Sequence, residues 1–148
     1  MAFVASVFGR MLLALIFIVA GITKVMNVAA TADFIERTTT LPGTLALPSG
    51  IFEIVFGVFL AVGFLTRISS IVLFVFTLAT VPFFHNVVGD QSQLQMALKN
   101  IAIAGGLLMV FAYGHARGSV DVWRERDRAR RAEIRAARAQ ARENDTEV

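Results

Sequence analysis

The chain reads as four long apolar runs separated by short polar breaks. The runs cover about residues 3–23, 49–65, 68–88 and 94–114. Each is of the length a helix needs to cross a bilayer, roughly 20 residues, and a helix satisfies its own backbone there. The first run is interrupted once, by Arg10, and near its end holds the sequence Val19-Ala20-Gly21. That ending resembles a signal-peptide cleavage site, but we read the run as a retained spanning helix. A polar segment, 24–48, follows it; this holds a short amphipathic piece near Val28 to Arg37 and then Thr38-Thr39-Thr40-Leu41-Pro42-Gly43, which breaks any helix. The second run stops at Thr66-Arg67 and the third starts at Ile68 with almost no loop, so the chain must turn back on itself. Pro82 lies inside the third run, and Gly89-Asp90-Gln91-Ser92-Gln93 forms the next turn. The predicted fold is all-α: an antiparallel bundle of four transmembrane helices over residues 1–116, with segment 24–48 as an extracytoplasmic loop.

From Ala116 the pattern changes. Residues 117–148 are rich in Arg, Glu and Ala, with acid–base pairs at helical spacing such as Asp127 and Arg131. This predicts a solvated, charged C-terminal helix that frays near Asn144. Composition agrees with the division. The 148 residues are 56% hydrophobic, about 83 positions, and mean hydropathy is +0.67. Four spans would use about 80 apolar residues, so the excess belongs in lipid. Of 14 Lys and Arg, nine lie after His115, as do seven of the 11 acids. The tail is therefore only +2, and its arginines point to a cytoplasmic partner or anionic lipid, or simply to a solvated helix, with nucleic acid not expected. Both termini and the Thr66-Arg67 turn fall on one side of the bundle and carry most of the basic residues. The positive-inside rule then puts both termini in the cytoplasm of a bacterial-type inner membrane. Trp123 and Tyr113 suit the cytoplasmic interface.

Zero cysteines exclude disulfides, thiolate metal sites and thiol relays. What remains is a set of intramembrane polar residues, which are expensive and therefore informative. Lys24 and Asn27 close the first run at its outer end; Glu53 is early in the second; His85 and Asn86 are late in the third; Lys99 and Asn100 are early in the fourth. Antiparallel threading brings all seven to one level. The faces agree: Arg10, Ala14, Phe17, Gly21 and Lys24 follow a 3–4 spacing, as do Glu53, Gly57 and Ala61, and Lys99, Ile103, Gly106 and Val110. Arg10 is roughly 21 Å along the helix from Lys24 and belongs to the other half.

Two readings are open. The cluster is inter-helix glue, with Glu53 paired to Lys24 or Lys99. Alternatively it lines a pocket whose Lys and His donors and Glu acceptor hold a carbonyl-bearing ligand. Two Lys against one Glu leave a positive site, which favours a quinone oxygen or a small anion over a cation. One haem cannot use both histidines, since His85 and His115 lie at opposite ends of the bundle, about 30 Å apart, and no metal site is expected. Gly105-Gly106 sits in an apolar helix, where close packing is the better account. Nucleotide-binding loops, nucleophile elbows and zinc-protease motifs are missing from the sequence. Redox chemistry would thus have to come from a ligand or a partner.

Several short motifs, one or more on each run, carry a family resemblance. They are Gly9-Arg10, Ala20-Gly21-Ile22-Thr23-Lys24, Phe52-Glu53, Gly63-Phe64-Leu65-Thr66-Arg67, Phe84-His85-Asn86, Leu98-Lys99-Asn100, Gly105-Gly106 and Ala112-Tyr113-Gly114. Their order and spacing over about Phe8 to Asp121 resemble the DoxX family. The resemblance implies a four-helix inner-membrane protein related to a subunit of thiosulfate:quinone oxidoreductase, associated with membrane or periplasmic redox subunits. It also implies that Lys24, Glu53, His85, Asn86, Lys99 and Asn100 are recurring polar positions. The expected function is a small subunit or accessory protein of a quinone-linked oxidoreductase, not catalytic alone; a structural subunit, an assembly factor or a small-molecule or lipid carrier is the alternative. The Arg-rich tail lies outside the family pattern.

Overall fold

The computed structural model describes residues 2–84, 91–113 and 120–146. Among them the chain is all-α: α1 (Ala2–Met26), α2 (Val28–Thr38), a 3-10 turn at Gly43–Leu45, α3 (Ala46–Val62), α4 (Thr66–Phe84), α5 (Gln91–Tyr113) and α6 (Val120–Thr146). Three stretches, Val4–Met26, Gly43–Val62 and Gln91–Tyr113, are long and apolar enough to cross a membrane, and Thr66–Pro82 is a shorter apolar helix. α1 runs three residues beyond the expected end, to Met26. There Asn27 (φ −126°, ψ 49°) bends the chain while its N–H still donates to Thr23 and its carbonyl accepts from Thr31. α2 is the amphipathic piece anticipated near Val28 to Arg37. α3 starts at Ala46, three residues before the apolar run, and ends sooner, at Gly63. That glycine adopts φ 73°, donating to Leu60 O while Phe64 N–H donates to Phe59 O, a pairing that satisfies the terminal carbonyls and stops the helix. α6 is helical to Thr146, past the fraying expected near Asn144, and Arg131 Nε meets Asp127 at 2.9 Å.

α1 packs principally on α3, and α4 on α5, with α3 against α4 joining the two pairs. Glycine sets the first contact. A Cβ on Gly21 would stand 2.6 Å from the Gly50 carbonyl oxygen, and one on Gly57 would stand 3.3 Å from the Ala14 carbonyl oxygen and 2.9 Å from Ile18 Cγ1. The backbones touch, and the pairing of late α1 with early α3 makes the two helices antiparallel. Phe52 against Phe76, with centroids 5.0 Å apart, likewise pairs early α3 with late α4. Ala14, Phe17, Leu60, Leu73 and Leu107 form the core, one or more from each of α1, α3, α4 and α5. The predicted α1 face is buried at Arg10, Ala14, Phe17 and Gly21 and half-buried at Lys24. On α3 the buried line is Gly50, Glu53, Gly57 and Leu60, with Ala61 only partly covered. On α5 it is Ala104 and Leu107, while Lys99 is exposed. Gly106 does meet Leu13 closely, but nothing lies within 4 Å of a Cβ on Gly105, so close packing explains only the second glycine.

The outward face of α1 exposes Phe8, Met11, Leu12, Leu15 and Val19, and α3 and α5 do the same with Ile51, Val55, Ile101 and Leu108. Water does not tolerate so continuous an apolar surface, and lipid acyl chains do.

Candidate functional site

The glycine seam determines where the charges meet. Lys24 lies one turn beyond Gly21, and Glu53 one turn beyond Gly50. Because neither glycine has a side chain, the Lys24 stem can lie against Gly50: a Cβ there would be 3.1 Å from Lys24 Cβ. The ammonium then reaches across, and Lys24 Nζ donates to Glu53 Oε1 at 2.6 Å. Glu53 is 4% exposed and its second oxygen, Oε2, is buried with no hydrogen-bond partner. Lys24 Nζ also stands 5.7 Å from the centroid of the Phe76 ring, a favourable cation–π placement. A buried carboxylate is retained only where it is paired and hydrogen-bonded, so this half-satisfied one is a costly feature of the bundle.

Lys24 and Glu53 stand in the wall of a cavity of about 780 Å³ between the α1/α3 and α4/α5 pairs. The wall is built from Ile16, Phe17 and Ala20 of α1, Phe52 and Pro48 of α3, Phe76, Thr77 and Thr80 of α4, and Met96, Lys99, Asn100 and Ile103 of α5. α2 closes one side with Thr31, Phe34, Ile35 and Thr38. Ile35 is buried, and Glu36 Oε1 accepts from the Gly43 N–H at 3.1 Å, which fixes the end of α2 to the turn leading into α3. The α4 hydroxyls are turned to their own backbone: Thr77 Oγ1 donates to Leu73 O at 2.8 Å and Thr80 Oγ1 to Thr77 O at 2.7 Å. Each keeps lone pairs able to accept. The cavity is thus mainly apolar and aromatic, with a few polar side chains in its wall, a composition suited to an amphiphile carrying an oxygen-bearing head.

Of the seven residues singled out from sequence, Lys24, Glu53, Lys99 and Asn100 line this one cavity. Lys99 is exposed and has no ion-pair partner among the described residues, so Glu53 takes Lys24 of the two lysines considered. Asn27 does not line the cavity. It is exposed at the bend between α1 and α2, and its Nδ2 donates to Thr23 O at 3.2 Å. His85 and Asn86 lie outside the described residues. Sequence reasoning passed over the α2 contribution and the α4 threonines. The amphipathic pattern of Val28 to Arg37 was the signal for the first; single threonines in an apolar run gave none for the second. Among the described residues no group of three His, Asp or Glu side chains could hold a metal ion.

The family model DoxX matches residues 5–86. That span includes most of α1 and all of α2 to α4, and it contains Lys24, Asn27, Glu53, His85 and Asn86. The chain is also 31% identical over 112 residues to the inner membrane protein YqjF of Escherichia coli (strain K12), covering 76% of this chain and 85% of that protein. No solved structure gives a significant match. With an all-α build, several helices apolar enough to cross a membrane and a family match over more than half its length, this membrane protein belongs to the DoxX family.

Proposed function

We propose that the chain is a small multi-pass inner-membrane subunit or accessory protein of a quinone-linked oxidoreductase assembly. In this reading α1, α3, α4 and α5 form an antiparallel transmembrane bundle, with both termini and α6 on the cytoplasmic side. The inner-membrane designation of the Escherichia coli relative supports the location. The clustering of basic residues at the α3–α4 turn and the C-terminal helix supports the orientation.

The observation that carries the ligand is the Lys24–Glu53 ion pair in the wall of a mainly apolar and aromatic cavity. A quinone head is a flat apolar ring with carbonyl oxygens, and the residues present fit it. Phe17, Phe52 and Phe76 offer ring contacts, and the ammonium groups of Lys24 and Lys99 offer donors to a carbonyl. A volume of about 780 Å³ is within the range of small-molecule sites. When bound, a quinone supplies two-electron chemistry; the chain's own residues bind and orient the head, and Thr31, Phe34 and Ile35 of α2 screen it on one side.

A second reading has one observation in its favour. The 2.6 Å Lys24–Glu53 bond joins α1 to α3 directly, as inter-helix glue in a structural or assembly subunit would. Purification of the native complex in mild detergent, with mass spectrometry of its proteins and extracted lipids, separates the two. Co-purifying quinone and redox subunits, both reduced in yield by Lys99→Ala, support the quinone site. A large complex recovered without quinone and unaffected by that substitution overturns it and leaves a structural subunit.

A further inference from the structure

We propose that α6 carries a track for anionic phospholipid headgroups and lies along the surface of the membrane in which the bundle sits. The proposal uses the reading that the apolar helices cross a membrane and is independent of the quinone site.

Five exposed arginines, Arg124, Arg128, Arg131, Arg135 and Arg138, recur at alternating spacings of four and three. On a helix these positions fall within about 80° of arc and extend for about 21 Å along one face. Net charge conceals this. Residues 120–146 hold eight arginines and six acids, a sum of only +2. Glu125 and Glu133, however, occupy other sides of the helix. Asp127 flanks the track and binds Arg131 Nε at 2.9 Å, which neutralises one of the five positions. A line of guanidinium groups recognises phosphate oxygens with two parallel N–H donors each, and is poorly matched to a neutral surface.

Two features select a lipid surface over another polyanion. The Arg124 guanidinium lies over the Phe64 ring, 4.9 Å from its centroid, in the turn that ends α3 and starts α4. This contact anchors the start of the track at the level where two apolar helices end. Beside the track run Trp123, 71% exposed, and Ile134, 45% exposed. Apolar anchors adjoining a basic stripe are what an in-plane helix uses at the headgroup boundary, and nucleic-acid phosphates give them nothing to bury against.

Trp123 is the single tryptophan of the chain and therefore reports on α6 directly. The full chain is reconstituted in nanodiscs of phosphatidylcholine alone or with phosphatidylglycerol, and Trp123 emission and acrylamide quenching are recorded. Anionic nanodiscs should shift the emission to the blue and shield it from quencher, and 0.5 M salt should reverse both. An arginine near an anionic surface contributes about a fivefold preference, so Arg128→Gln with Arg135→Gln should lower the docked-to-undocked ratio about 25-fold. Arg126→Gln with Arg130→Gln removes the same charge from off the track and should leave most of the shift in place. Equal emission in both nanodiscs overturns the proposal, as does an equal loss from the two double variants. A larger response to duplex DNA, added to phosphatidylcholine nanodiscs, than to phosphatidylglycerol also overturns it.

Discussion

Gly21 and Gly105 are both glycines inside apolar helices, and alanine should have opposite effects at the two. At Gly21 the new Cβ would stand 2.6 Å from the Gly50 carbonyl oxygen, where ordinary contact begins at 3.4 Å. The obstacle is backbone, so no side chain can rotate away, and the α1–α3 seam must open by several tenths of an ångström. Overpacking costs about 1–3 kcal/mol, and a rigid obstacle puts Gly21→Ala near the upper end. At Gly105 nothing lies within 4 Å, and the expected effect is the helix-propensity gain of alanine over glycine, about 0.8–1 kcal/mol. The propensity gain applies at both sites and cancels in the comparison, so the two variants should differ by the overpacking cost alone, about 3 kcal/mol in unfolding free energy. Titration of the purified chain with SDS in mixed micelles, followed by circular dichroism, measures the difference. Opening the seam also carries Lys24 away from Glu53, so Gly21→Ala should weaken the proposed quinone binding along with stability. A Gly21→Ala variant as stable as the parent, or a Gly105→Ala variant as damaged as Gly21→Ala, would refute the account of α1–α3 packing.

The ion pair, the α2 wall and the α6 anchor give further tests. Lys24→Met leaves a buried carboxylate behind and should cost about 2–3 kcal/mol, somewhat less than a fully buried pair because Lys24 keeps some exposure; adding Glu53→Leu should recover most of the loss. The same titration checks it, and a double variant no better than the single one defeats the argument. Ile35→Ala should cost about 2 kcal/mol and raise hydrogen exchange over 28–38 selectively, since it removes the buried side chain of α2. Uniform exchange changes across all helices would contradict the role given to α2. Arg124→Gln removes a contact with Phe64 worth about 0.5–1 kcal/mol, and should raise proteolysis within α6 while α1 to α5 stay intact.

Helix existence was readable because a bilayer asks for long uninterrupted apolar runs, and few other structures produce them. Helix faces were readable only where small or charged residues broke the monotony. Arg10, Ala14, Gly21 and Lys24 marked the covered face of α1 because each is costly or wasted against lipid, and Phe17 lies in register with them. On α5 the same spacing rule chose Lys99, Ile103, Gly106 and Val110; the last three are half-buried against the core, but Lys99 is exposed and the fully buried positions are Ala104 and Leu107. Leucine and isoleucine suit lipid and core equally, so periodicity carries little contrast there. Glu53 invited a lysine, and the choice of Lys24 over Lys99 needed the structure.

The sequence by itself determined that this chain is an all-α membrane protein with a charged C-terminal helix, because transfer of about 83 apolar residues out of water depends on composition and run length alone. It also limited the costly polar groups of the bundle to a handful. Tertiary structure decided which helices touch, since side-chain size at a crossing is a pairwise property: Gly21 matters only because Gly50 is opposite. It likewise decided that α2 folds over the gap between two helix pairs and that one oxygen of Glu53 is buried without a partner. These depend on distances between segments far apart in the chain, which no local pattern of polar and apolar residues encodes.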